Sequence, residues 1–266
     1  MTAPVTPAGT DAAYDPVLDV SGTPRVGLGT LVKVEMRKMV DTRSGLWLVI
    51  AIVAITLLIT VIFTIAADGE ERTFFNYIGV MATPQGFLLP VLGILLMTQE
   101  WTQRTGMVTF TLEPHRAKVI WAKVVAALAY GLAAVVVAML LAAIGALLGG
   151  AADPWREVGL DDPAKFAMLQ VMGVLQGLAF GLIFLNSAAA IVFYFVVPIA
   201  FSVVTSITGA MADIQPWIDL GTAQTPLFEG GGITGEQWAQ LATSTAIWVV
   251  LPFMLGLWRV LRAELK

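Results

Sequence analysis

Residues 47–66 read WLVIAIVAITLLITVIFTIA, a run without a single charge. An α-helix rises 1.5 Å per residue, so about 20 apolar residues cross the roughly 30 Å of hydrocarbon in a bilayer. The run therefore predicts a membrane-spanning helix over about 45–66. Composition extends that reading to the whole chain. Of 266 residues, 58% are hydrophobic and 13% are charged, whereas soluble domains carry roughly a quarter charged residues. A soluble fold of this size lacks the polar residues to cover its core.

Five further spans are expected downstream of it. One covers about 76–98 and is interrupted by Pro84 and Pro90, with Asn76 and Gln85 as polar members. Proline in such a helix frees a carbonyl that a neighbour must satisfy. The others cover about 122–149, 165–185, 188–209 and 239–258, which makes six in all. Only Asn186 and Ser187 separate the fourth from the fifth, predicting a tight helical hairpin. Residues 1–26, rich in Pro, Thr, Gly and Ala, read as a disordered tail, and 27–266 as one transmembrane domain.

Basic residues set the orientation. With the amino terminus inside, the inner segments hold twelve of the 15 Lys and Arg, and Arg72, Arg156 and Lys165 lie outside. The positive-inside rule then places both termini in the cytoplasm. Before the first span, Leu28, Leu31, Val32, Met36 and Met39 recur at helical spacing, with Lys33, Arg37 and Lys38 on the other surface. That pattern predicts an amphipathic helix in the headgroup region; a plain basic flank fixing topology is the alternative. The long outer segment, about 210–238, carries Pro216, Trp217, Pro226, Phe228 and Gly230 to Gly232. Short helices dipping toward the membrane or an irregular loop both fit it.

Several chemistries are excluded. There is no cysteine, hence no disulfide or thiolate site, and His115 is the only histidine. Neither a G-x-x-x-x-G-K-[ST] loop nor H-E-x-x-H occurs. Glu70-Glu71 reads as a solvated outer pair. No catalytic, cofactor or metal site is expected on this chain. Apart from Lys123 and Lys165 in the first turns of their spans, these limits enclose no Asp, Glu, Lys, Arg or His, and none is expected at membrane depth, which argues against a self-powered transporter. The polar residues at depth are uncharged: Thr56, Thr60 and Thr64; Gln170 and Gln176; Ser202, Thr205 and Ser206. They either line a path for an amphiphile or bond between helices and to their own backbone. Gly173, Gly177 and Gly181 form a stripe that lets a helix approach closely, within the subunit or between subunits.

The inner loop from Glu100 to Lys123 reads EWTQRTGMVTFTLEPHRAKVIWAK. Exposed apolar residues in such a loop call for a partner surface or for the membrane interface. Here the chain resembles the permease subunits of type-2 ABC exporters. Glu100, Thr105-Gly106, Leu112, Pro114, Arg116 and Lys123 follow the family's order, although many relatives have Gly-Thr where this chain has Thr-Gly. Lys33 and the V-E-M-R-K-M-V segment after it, with Glu35, Arg37 and Lys38, resemble the family's interfacial helix.

The resemblance covers about 27–266. It implies an all-α, six-span type-2 ABC exporter fold in the bacterial cytoplasmic membrane. It also implies a second permease copy or sibling, and a separate ATP-binding subunit carrying ATP and Mg. The 100–116 loop would dock on that subunit, with Phe110 and Leu112 as apolar contacts. Nucleic acid is not expected as a partner. The cargo would be amphiphilic or drug-like. The alternative is a non-transporting sensor, immunity or scaffold protein that recruits a cytoplasmic partner through the same loop.

Overall fold

The computed structural model of the protein describes residues 26–156, 158–207, 213–229 and 231–262, the side chains of 206 and 207 excepted. The expected tail up to Arg25, Gly230, Lys266 and the Ser206 side chain lie outside them. All regular elements among the described residues are helical. They are α1 (Leu28–Asp41), α2 (Arg43–Ala66), α3 (Phe74–Thr102), α4 (Gly106–Leu112), α5 (Arg116–Leu148), α6 (Asp162–Phe184), α7 (Ser187–Ile207), α8 (Gln215–Ile218), α9 (Leu220–Gln224), α10 (Gly235–Thr245) and α11 (Leu251–Arg262). A π-helical turn, Ala246–Val250, joins α10 to α11. Six helices are long and apolar enough to cross a membrane: α2, α3, α5, α6, α7 and the continuous Gly235–Arg262 stretch. The chain is a multi-pass membrane protein.

Local chemistry sets the corners. Thr42 takes an extended conformation between α1 and α2, and its hydroxyl caps α2 by accepting from the Gly45 amide at 3.3 Å. A Cβ at Gly45 would overlap the Met39 carbonyl, so the corner needs glycine there. The α6–α7 hairpin turns on Leu185 in the left-handed region (φ 52°), and Asn186 caps α7 by accepting from Ala189 N at 3.0 Å. The π turn precedes Pro252, which offers no amide to the carbonyl one turn back. That loss explains why the regular ladder breaks there.

The bundle is built around α3 and α6. Over their most apolar windows, α6 is 67% buried and α3 56%, against 17% for α2 and 11% for α7. The small-residue stripe sets this pairing. A Cβ on Gly177 would overlap the Pro90 carbonyl of α3, one on Gly173 would sit 3.2 Å from Pro90 Cγ, and one on Gly181 3.0 Å from Met97 Cβ. Gly93 answers from α3: its Cβ would meet the Val174 carbonyl at 2.6 Å. The stripe therefore packs within the subunit.

The third expected span is helical already from Arg116. The segment between α7 and α10 is folded as α8, α9 and a 3-10 turn (Thr225–Leu227). Its Leu220, Ala223 and Leu227 are buried in one cluster with Phe74, Tyr77, Met81 and Phe166.

Candidate functional site

Four charged side chains meet at the end of the bundle that carries α1 and α4. Lys123 Nζ of α5 lies 2.6 Å from Glu35 Oε2 of α1 and 2.7 Å from Glu100 Oε2 of α3. Lys38 Nζ lies 2.7 Å from Glu35 Oε1 and 3.1 Å from Glu100 Oε1. Lys123 also donates to the Leu96 carbonyl at 2.9 Å. Glu35, Glu100 and Lys123 are all but fully buried, and Lys38 is about one-third exposed. Two cations against two anions leave the cluster neutral, which is the condition for burying it. Burial alone would lower the Lys38 pKa; the Glu100 and Glu35 carboxylates outweigh that and raise it.

This geometry revises one expectation. Lys38 does not share the outer surface with Lys33 and Arg37; it turns inward with Glu35, because both find partners there. Lys33 is exposed, and Arg37 pairs with Asp41 at 3.3 Å on the surface. Glu100 lies in the last turn of α3, where the loop begins, and is buried, so the surface offered for docking starts after it.

The segment from Gln103 to His115 carries α4. Arg104, at φ 57°, ends α3, and the Thr105 amide donates to the Glu100 carbonyl at 2.9 Å. Gly106 then opens α4. Phe110, expected as a contact for a partner, is instead 6% exposed. Its ring lies 6.0 Å from that of Trp101, with the Arg116 guanidinium 5.4 Å from its centroid. The exposed apolar residues of α4 are Met107, Val108 and Leu112, at 63%, 62% and 77%. Pro114 is exposed, and Arg116 Nη1 donates to the Val260 carbonyl of α11 at 2.8 Å. Glu113 meets Lys118 Nζ at 3.1 Å and His115 Nδ1 at 3.0 Å. The Lys118 hydrogen bond, joined by those from His115, holds the Glu113 carboxyl below its ordinary range. A groove of about 430 Å³ runs between α1 and α4, walled by Leu31, Val34, Val108 and Leu112 with Glu35 and Lys38 at its floor.

Halfway along the bundle the polar residues divide. Thr56, Thr60 and Thr64 each donate to the carbonyl four residues back, at 2.7, 2.8 and 2.7 Å. Gln170 Nε2 of α6 reaches Gln85 Oε1 of α3 at 3.3 Å, and Gln85 Nε2 donates to the Ala134 carbonyl of α5 at 3.2 Å. Thr205 bonds back to the Phe201 and Ser202 carbonyls. The glutamines join α3, α5 and α6, and Thr56 and Thr64 also meet Gln85 and Tyr77 of α3, at 3.4 and 2.7 Å. Gln176 is different, because it lines a second cavity of about 200 Å³ beside α7.

Asp219 also lines that cavity. Phe87, Gln176 and Tyr194, which share it, lie near the middle of α3, α6 and α7. The α8–α9 link therefore descends to mid-length of the bundle, held there by a hydrogen bond from Trp248 Nε1 to the Ile218 carbonyl at 2.7 Å. The expectation that no ionisable side chain lies at depth fails at Asp219. Its surrounding sequence, polar and glycine-containing, reads as an outer loop, and only the packing of that loop carries the carboxylate inward.

Among the described residues, no three His, Asp or Glu side chains gather to hold a metal ion. Comparison with known proteins returns no match, either to a protein-family model or to a curated protein.

Proposed function

We propose that this chain is the membrane-spanning permease subunit of an ATP-driven type-2 ABC exporter, working in a bacterial cytoplasmic membrane with both termini inside. The observation that carries the reading is α4: a short helix between two spans that turns Met107, Val108 and Leu112 outward. It stands beside the buried ion cluster joining α1, α3 and α5. A protein docked on α4 would displace the end of α3, and the cluster would pass that displacement to α1 and α5. A partner drives such a change only through contacts that differ between its states, and closure of an ATP-binding subunit provides them. ATP and Mg would be bound there, and this chain would carry no catalytic group.

The resemblance in order from Glu35 to Lys123 supports the same reading, with α1 as the amphipathic interfacial helix. A second permease, a copy or a sibling, would pack against α2 and α7, the two spans least buried by their own chain. The cargo would be amphiphilic or drug-like.

The test is affinity purification of the tagged chain in mild detergent, followed by an ATPase assay. An ATP-binding protein should co-purify with ATPase activity, and Met107→Asp with Leu112→Asp should lower the recovered activity at least fivefold. A homogeneous oligomer without ATPase in several detergents would overturn the reading in favour of a sensor, immunity or scaffold protein.

A further inference from the structure

Among the described residues, the buried acids follow a pattern with one exception. Glu35 and Glu100 pair with Lys38 and Lys123, Glu113 with Lys118, and Asp162 with Lys165. Asp219 is as buried, at 5% exposure, yet no cationic side chain pairs with it among the described residues. Its carboxylate accepts from the Gly221 amide at 3.3 Å, the Thr222 amide at 3.4 Å and the Thr222 hydroxyl at 2.6 Å. Those bonds cap α9 and partly satisfy the oxygens, but they supply no countercharge. An ionisable residue at depth is expensive and usually has a partner.

The space beside it has the matching chemistry. Phe87, Tyr194, Phe195 and Trp248 line the cavity of about 200 Å³, with Gln176 and Gln224 as neutral polar side chains beside Asp219. The Phe87 and Phe195 centroids are 5.7 Å apart, and those of Tyr194 and Phe195 5.0 Å. Trp248 sits on the π turn, a distortion often found at functional positions. Aromatic faces attract cations through their quadrupole, indole most strongly. An aromatic wall and an unpaired carboxylate in one cavity select a positively charged, largely apolar guest over a neutral or anionic one.

We propose that this cavity is a binding site for a small aromatic monocation, with Asp219 as its counter-ion. The volume is below the roughly 300–1,000 Å³ of drug-sized sites, so the site takes one or two rings, or the head of a larger molecule reaching out past α7. This names the cargo class of the proposed exporter and rests on that reading for its physiological role. The binding itself needs only this chain.

The experiment is equilibrium binding of radiolabelled 1-methyl-4-phenylpyridinium to the purified full chain in nanodiscs, with neutral 4-methylbiphenyl as an isosteric competitor. The cation should bind saturably, and the neutral isostere should compete at least tenfold more weakly than unlabelled cation. Asp219→Asn keeps an oxygen to cap α9 and removes the charge; it should weaken binding at least tenfold. Phe195→Leu, away from the cap, should weaken it severalfold and serves if the asparagine variant does not fold. Equal binding by Asp219→Asn, unchanged binding by Phe195→Leu, or equal competition by the neutral isostere overturns the proposal. Such a failure leaves the ATPase coupling untouched, and loss of coupling leaves the binding result standing.

Discussion

Two buried lysines stand at opposite ends of the bundle, and each meets two carboxylates and one carbonyl. Lys123 draws its partners from far along the chain: Glu35 on α1, Glu100 on α3 and the Leu96 carbonyl. Lys165 finds Asp161 at 2.8 Å and Asp162 at 3.1 Å on its own helical turn. Its one distant bond is to the neutral Gly231 carbonyl, at 2.6 Å. Identical group chemistry thus does different work. A charge whose counter-ions sit on other helices ties those helices together. A charge already neutralised by its own turn contributes only one hydrogen bond to the tertiary fold.

The contrast predicts unequal losses. Lys123→Met leaves Glu35 and Glu100 facing each other with Lys38 alone, and breaking a buried ion pair from one side costs about 3–5 kcal/mol. Thermal unfolding of the purified chain in detergent should show this loss, and Glu35→Gln added to Lys123→Met should cost less than the two single losses combined, because it removes an uncompensated anion. If the pair of substitutions is additive, the cluster is not a coupled unit.

Lys165→Met should be milder, at or below the lower end of that range, about 3 kcal/mol, because it leaves one buried carboxylate, Asp162, without its cation while Asp161 stays solvated. Its local effect should exceed its global one: amides near Gly231 should exchange faster while those of α3 keep their protection. A global loss as large as that of Lys123→Met would erase the distinction.

The smallest effect is in pH: Lys38 sets an alkaline limit at one end, and Asp161 sets an acid limit at the other. The Lys38 pKa is raised because Glu100 and Glu35 outweigh the cost of burial. Its contribution is therefore complete below the ordinary lysine value of 10.5 and is lost as pH rises through the raised value. Asp161 is depressed by the hydrogen bond from Lys165. Its contribution is present above the ordinary value of 3.8 and is lost as pH falls through the depressed one. The chain has no native cysteine, so single nitroxides at Met107→Cys and Glu229→Cys report on each end separately. The label at 107 should gain mobility in alkali and the label at 229 in acid; a label at 107 unmoved in alkali, or one at 229 unmoved in acid, would contradict the pairing at that end.

Much of this was legible in the residues. An uncharged run such as 47–66 has one stable environment, and the Asn186-Ser187 break leaves room only for a tight turn. The threonine ladder of α2 bonds to its own backbone, one of the two readings its spacing allowed. Less legible was the direction a side chain faces once helices meet. Phe110 stands among exposed apolar residues, and nothing in its neighbours separates it from Leu112; Trp101 and Arg116 do so by closing over it. Glu35 and Lys38 look like part of a solvated basic face until Lys123 arrives from another helix.

The sequence by itself determined the class of the protein and its six apolar helices, because hydrophobic length against bilayer thickness is a property of each segment alone. Tertiary structure decided which charges neutralise one another, which glycines admit a neighbouring backbone, and that Asp219 sits halfway down the bundle. Those outcomes depend on pairs of residues far apart in the chain, and a charge or a small side chain acquires its energetic meaning only from what packs against it.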